Sequence, residues 1–204
     1  MNRVFVMNRG KTVVSDTVDG TRRGVTEEGM CLIRGTADAI QSQNFQPQGV
    51  VVSAEYSDQR CVGVFLDRLG IESNLPAVIM ENLVSLDEMD RVVDGISDFD
   101  PEMVLDYYRS EAYRDLLVKE ENNLIVQMQD ALNELTTIKG VSGDILMVFG
   151  PWITTCAAMA CDLGNRQNYR MNQVSDAEGF LISRRGNPRI VGPTGVALPK
   201  TIRY

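Results

Sequence analysis

The sequence predicts a three-layer α/β/α protein with a mostly parallel central sheet, closed at its C-terminal end by an antiparallel hairpin. Three observations carry that reading. Short apolar runs alternate with segments of helical periodicity, the order that builds right-handed βαβ units. Several of the runs lack polar alternation, as strands covered on both faces do. The chain of 204 residues is 44% hydrophobic and 24% charged, enough to bury a core without disulfides or metals.

The elements follow in order. Val4-Phe5-Val6-Met7 is a buried strand, ended by Asn8-Arg9-Gly10. Residues 11–25 are polar and contain glycine, and read as a loop. Thr26-Glu27-Glu28 opens a helix, its acidic residues placed where the helix dipole favours them. Met30, Ile33, Ala37 and Ile40 form the buried stripe. After Pro47, Gly49-Val50-Val51-Val52-Ser53 is a central strand. A second helix carries Val62, Phe65, Leu66 and Leu69 on one face and stops at Gly70. Pro76 to Met80 reads as a third strand.

Residues 81–102 are acidic and weakly patterned, with Asp87, Glu88, Asp90, Asp94, Asp98 and Asp100. Their spacing matches no calcium loop, so a solvated segment is expected. Pro101 opens a helix with Val104, Tyr107 and Tyr108, and a longer helix covers about 119–135 through Ile125, Met128, Leu132 and Leu135. The chain is thus read as one domain, 1–204, with a helical, acidic insertion at about 81–120. Ile145-Leu146-Met147-Val148 lies in a fourth strand that ends at Gly150-Pro151. The helix after it carries Ile153, Cys156, Ala157, Ala160 and Leu163. Phe180-Leu181-Ile182 and Arg189-Ile190-Val191 form the final hairpin, with Gly186-Asn187 as turn residues, and the tail after Gly192 is expected along the surface.

Composition excludes much chemistry. There is no histidine, which removes imidazole nucleophiles, Ser–His and Cys–His pairs and histidine-ligated metals. Lys and Arg number 20 against 28 Asp and Glu, a net charge of -8, so nucleic acid and anionic membranes are not expected partners. Cys31, Cys61, Cys156 and Cys161 form no C-x-x-C pair, and no metal or cofactor site is suggested. No apolar run reaches the roughly 20 residues of a membrane span. The expectation is a soluble, cytoplasmic protein with reduced thiols.

In an open α/β sheet, ligands sit beyond the carboxyl ends of the strands. Asn8-Arg9-Gly10-Lys11-Thr12 and Phe149-Gly150-Pro151-Trp152 fall there. With these segments the chain resembles the histidine phosphatase (phosphoglycerate mutase-like) superfamily. That family opens with a strand and Arg-His-Gly-Glu-Thr, where this chain has Asn8-Arg9-Gly10-Lys11-Thr12. Its Leu-Thr-Glu-x-Gly is matched by Val25-Thr26-Glu27-Glu28-Gly29. Its Ser-Pro-x-x-Arg falls on Val52-Ser53-Ala54-Glu55, with the arginine near Ser57, and its Ser-His-Gly on Phe149-Gly150-Pro151.

The resemblance implies a phosphoglycerate mutase-like fold, and the departures from it imply lost chemistry. Asn8 stands for the family arginine, Arg9 for the nucleophilic histidine and Lys11 for the glutamate. The second histidine falls on Phe149 or Gly150, and the general acid near Leu83-Val84-Ser85, with Glu81 a shifted substitute. No catalytic residue is expected. Asn8, Arg9, Gly10 and Lys11 are candidates for an anion or phosphate cradle, in which two cations flank a backbone N–H. Arg22 and Arg23, in the loop that borders the family pocket, and Arg60 join them as candidates. Alternatively, Arg9 fills the pocket and pairs with an acidic neighbour such as Asp16 or Glu81, which leaves no room for a ligand and puts the function on a protein–protein surface. Trp152 is a candidate stacking surface.

Two functions follow from the resemblance. One is a pseudoenzyme that binds a phosphorylated small molecule or a protein partner, with self-association left open. The other is a phosphohydrolase or mutase rewired around Cys61, Ser57 or Glu55.

Overall fold

A computed structural model describes residues 3–17, 20–72, 74–81, 111–137, 141–161, 174–183 and 186–198. The strands β1 (Arg3–Asn8), β4 (Pro47–Ser53), β5 (Ala77–Met80) and β6 (Asp144–Phe149) lie parallel in one sheet. Three antiparallel strands extend it, β7 (Gly179–Ser183), β8 (Gly186–Gly192) and β9 (Gly195–Ala197). The order is β5-β4-β6-β1-β7-β8-β9, so β1 is central, as its unalternated apolar run demands.

The pleat divides the core. Val4, Val6, Val51, Ile145, Met147 and Phe149 face helices α3 (Glu111–Thr137) and α4 (Pro151–Cys161). Phe5, Met7, Val50, Val52, Leu146 and Val148 face α1 (Glu27–Gln41) and α2 (Tyr56–Leu69). Helices on both faces of the sheet complete the three layers. Ile33, Ala37 and Ile40 are buried as their spacing requires, and Phe65 and Leu66 likewise. Gly70 ends α2 with φ +69, a left-handed conformation that glycine adopts without Cβ strain.

Four expectations change. Residues 11–25 are not a loop but a separate antiparallel ribbon, β2 (Thr12–Thr17) with β3 (Gly20–Val25). Gly186 and Asn187 lie in β8 rather than in the turn before it. The tail adds β9, whose return after Gly192 is made by Gly195 at φ +127. The helix read over about 119–135 begins earlier, at Glu111. The acidic stretch from Leu83 to Asp100, the helix expected after Pro101, and Leu163 lie outside the described residues. Among the described residues, no helix is long and apolar enough to cross a membrane.

Candidate functional site

The carboxyl ends of β1, β4 and β6 converge, and the turns that follow them bring the candidate residues together. β1 runs in register with β6 to Asn8 opposite Phe149, and the Arg9 N–H continues the pairing to the Phe149 carbonyl at 2.8 Å. That fixes Arg9 beside Gly150. Its guanidinium packs so closely there that a Cβ on Gly150 would stand 3.4 Å from Cζ and Nη2.

Arg9 is 4% exposed, an unusual burial for a cation. Its counter-ions come from the start of α2. Nη1 donates to Glu55 Oε2 at 2.5 Å and to Ser57 Oγ at 3.3 Å. The same Nη1 lies 3.6 Å from Asp58 Oδ1. Ser53 Oγ donates to Asp58 Oδ2 at 2.6 Å and accepts from the Glu55 N–H at 3.1 Å, which ties the β4–α2 turn into one network. Asp58 is buried, and burial pushes its carboxyl up to about 6 against the opposing pull of Arg9. Among the described residues, Asp58 Oδ1 and Asn8 Oδ1 are buried without a hydrogen-bond partner.

Each of the other candidates has a definite place. Asn8 Nδ2 donates to the carbonyls of Ser175, at 3.1 Å, and Val174, at 3.4 Å, so this side chain anchors the segment before β7. The Gly10 N–H, expected to face an anion, donates to Cys61 Sγ at 3.4 Å. Lys11 is exposed, and its Nζ donates to Glu28 Oε2 at 2.7 Å; that hydrogen bond and the Glu28 charge raise its pKa. Arg60 is exposed on α2, away from the face that carries Ser57, Asp58 and Cys61. Arg22 and Arg23 sit on β3, in register with Ser15 and Val14, and their side chains, like that of Trp152, lie outside the described residues.

Arg9 is therefore paired with an acidic neighbour, as considered from sequence, but the neighbour is Glu55, with Asp58 close by; Glu81 makes no ion pair with it among the described residues, and the Asp16 side chain lies outside them. Two groups escaped sequence reasoning, Asp58 and Asp176. Asp58 precedes Cys61 by three residues, a spacing that puts both on one helical face, and its place in the first turn of α2 points it back at β1. Asp176 has no comparable signal. Partial burial raises its pKa, and Lys11 and Arg9 oppose that. Cys61 is buried, and its thiol is pushed up to about 12 by desolvation, which leaves it protonated at neutral pH. Among the described residues, no cluster of three or more His, Cys, Asp or Glu side chains could hold a metal ion.

The sheet order, the helices on both faces and the turn cluster at the strand ends define a phosphoglycerate mutase-like fold. The chain is similar to a phosphoglycerate mutase from Bacillus anthracis str. Sterne, with a TM-score of 0.58 and 13% identity over 98% of this chain and 92% of that one. It is also similar to the protein histidine phosphatase SixA complexed with tungstate, with a TM-score of 0.55 and 17% identity over 94% and 97% of the two chains. A mycobacterial glucosyl-3-phosphoglycerate phosphatase complexed with VO3 gives a TM-score of 0.57 at 11% identity over 94% and 98%. No protein-family model matches the chain. No curated protein matches it in sequence.

Proposed function

We propose that this protein is a catalytically inactive member of the phosphatase-like fold that acts by binding, its ligand carrying a phosphoryl group. One observation supports this reading above the others. In a chain without histidine, the residue that the motif resemblance sets in the place of the family's nucleophile is Arg9, and it is buried and ion-paired with Glu55. A guanidinium stays protonated and is no nucleophile, but its planar fork binds oxyanions well. Arg9 uses one nitrogen on Glu55 and Ser57, and its Nε and Nη2 make no hydrogen bond among the described residues.

The rewired-hydrolase reading has less support. Cys61 is buried and protonated, which removes a thiolate. Ser57 is buried, with Arg9 and Glu55 already on its hydroxyl. Glu55 accepts from Arg9 and from the Ser57 hydroxyl. Asp58, which holds its proton to about pH 6, is buried beside them, with Ser53 on one carboxyl oxygen and Arg9 near the other.

The test is turnover. Purified protein should release no phosphate from p-nitrophenyl phosphate or sugar phosphates between about pH 5 and pH 8, the span over which active-site carboxylates and thiols would titrate. Turnover that is lost in Cys61→Ser or Ser57→Ala would establish the rewired enzyme instead.

A further inference from the structure

We infer that the Glu55 carboxylate is a built-in occupant of an oxyanion seat on Arg9, which a phosphoryl group enters only by displacing it. The inference rests on the non-catalytic binding reading above and adds to it what controls access.

The two partners of the ion pair are unequal. The Arg9 side chain is 4% exposed and the Glu55 side chain 43%. Arg9 is fixed from several sides, by its N–H on Phe149, by its carbonyl accepting from the Ala177 N–H, and by Gly150 against its guanidinium. Glu55 is held at its backbone, where its N–H donates to Ser53 Oγ, and its side chain reaches solvent. It stands at the N-cap of α2 but makes no capping hydrogen bond. A residue at that position ordinarily turns its side chain onto the free N–H groups of the first turn. Glu55 is turned onto Arg9 instead, so swinging it outward costs the helix no cap.

Displacement does not strand the cation. Asp58 is buried 3.6 Å from the same Nη1, and Ser53 holds it through Oδ2. Above about pH 6 Asp58 is thus the buried counter-ion and Glu55 the exchangeable one. A carboxylate and a phosphoryl group make the same kind of charge-assisted bond to a guanidinium. Nε and Nη2 make no hydrogen bond among the described residues and lie against Gly150.

The experiment is a calorimetric titration with inorganic phosphate at constant ionic strength. It compares wild type, Glu55→Gln and the double variant Glu55→Gln/Arg9→Gln. Glu55→Gln should bind phosphate about two- to fivefold more tightly than wild type, the range expected for removing one partly exposed competing charge. The double variant should lose that gain. Equal affinity of wild type and Glu55→Gln, including no measurable binding by either, overturns the inference, and so does a gain that survives the loss of Arg9. If circular dichroism shows Glu55→Gln unfolded, Glu55→Ala is titrated in its place; loss of the fold in both makes the pair structural and overturns the inference too. Turnover of a phosphomonoester by wild type would sink the non-catalytic reading, and it is read in a separate assay from the affinities.

Discussion

Arg9 and Asp58 face each other out of water, and their charges are set by opposing forces. Burial disfavours the Asp58 carboxylate, and the guanidinium 3.6 Å away favours it. Burial is the larger effect, so the folded protein holds the Asp58 proton to about pH 6, where an ordinary aspartate releases it near 3.8. Between those values the native state binds a proton that the unfolded chain has lost. Stability therefore falls as pH rises through that window and levels off above it. The contribution is on the order of 3 kcal/mol. Asp58→Asn keeps the size of the side chain and removes the titration. Urea unfolding at intervals between about pH 4 and pH 7 should show the variant gaining on wild type as pH rises, with the gain complete above about pH 6. Parallel curves for the two proteins would mean that Arg9, rather than burial, sets the ionisation.

The ribbon β2–β3 is joined to α1 through backbone contacts at Lys11. Thr26 caps α1 by accepting from the Gly29 N–H at 3.0 Å, and its hydroxyl donates to the Lys11 carbonyl at 3.1 Å. Gly29 lies against that same backbone, where a Cβ would stand 2.8 Å from the Lys11 nitrogen and nearer still to its oxygen. Gly→Ala inside a helix ordinarily stabilises by up to about 1 kcal/mol. Here the sign reverses, because neither backbone can retreat without moving the ribbon. Gly29→Ala should cost about 1–3 kcal/mol, the range for forcing an extra carbon into a packed site, read as a lower urea midpoint with an unchanged slope. The same segment marks where sequence reasoning ran short. Val13 and Val14 sit among Thr, Ser, Asp, Arg and Gly, and Val13 is exposed, so no apolar run announces the ribbon. The Asp19-Gly20 dipeptide between two equal stretches was the available hairpin signal. β1, β4 and β6 were legible because strands covered on both faces have nothing but apolar residues to show. The site was legible in part. β1 delivers Arg9 to a predictable place, but the choice of Glu55 and Asp58 as its partners depends on how α2 is set against β1, a tertiary fact with no local pattern.

Across the whole molecule, the central strand is common property. Phe5 turns one way, into a cluster with Phe45 at 6.0 Å and Phe65 at 5.9 Å between ring centres. Val4 and Val6 turn the other way, toward the side covered by α3 and α4. β1 hydrogen-bonds to β6 on one edge and β7 on the other, so neither face can lose its packing without loosening the strand that the other face rests on. The two halves of the core should then melt as one unit, although a chain of 204 residues is longer than the domains for which all-or-none unfolding is the rule. The sequence supplies a probe, since Trp152 is the only tryptophan and lies on α4, across the sheet from Phe5. Phe5→Ala removes a fully buried ring and should cost about 3–5 kcal/mol. If the sheet couples its faces, tryptophan fluorescence and far-ultraviolet circular dichroism shift to the same lower midpoint in that variant. If fluorescence keeps its wild-type midpoint while the dichroism moves, the α3–α4 face is an independent folding unit, and reading the chain as a single domain fails.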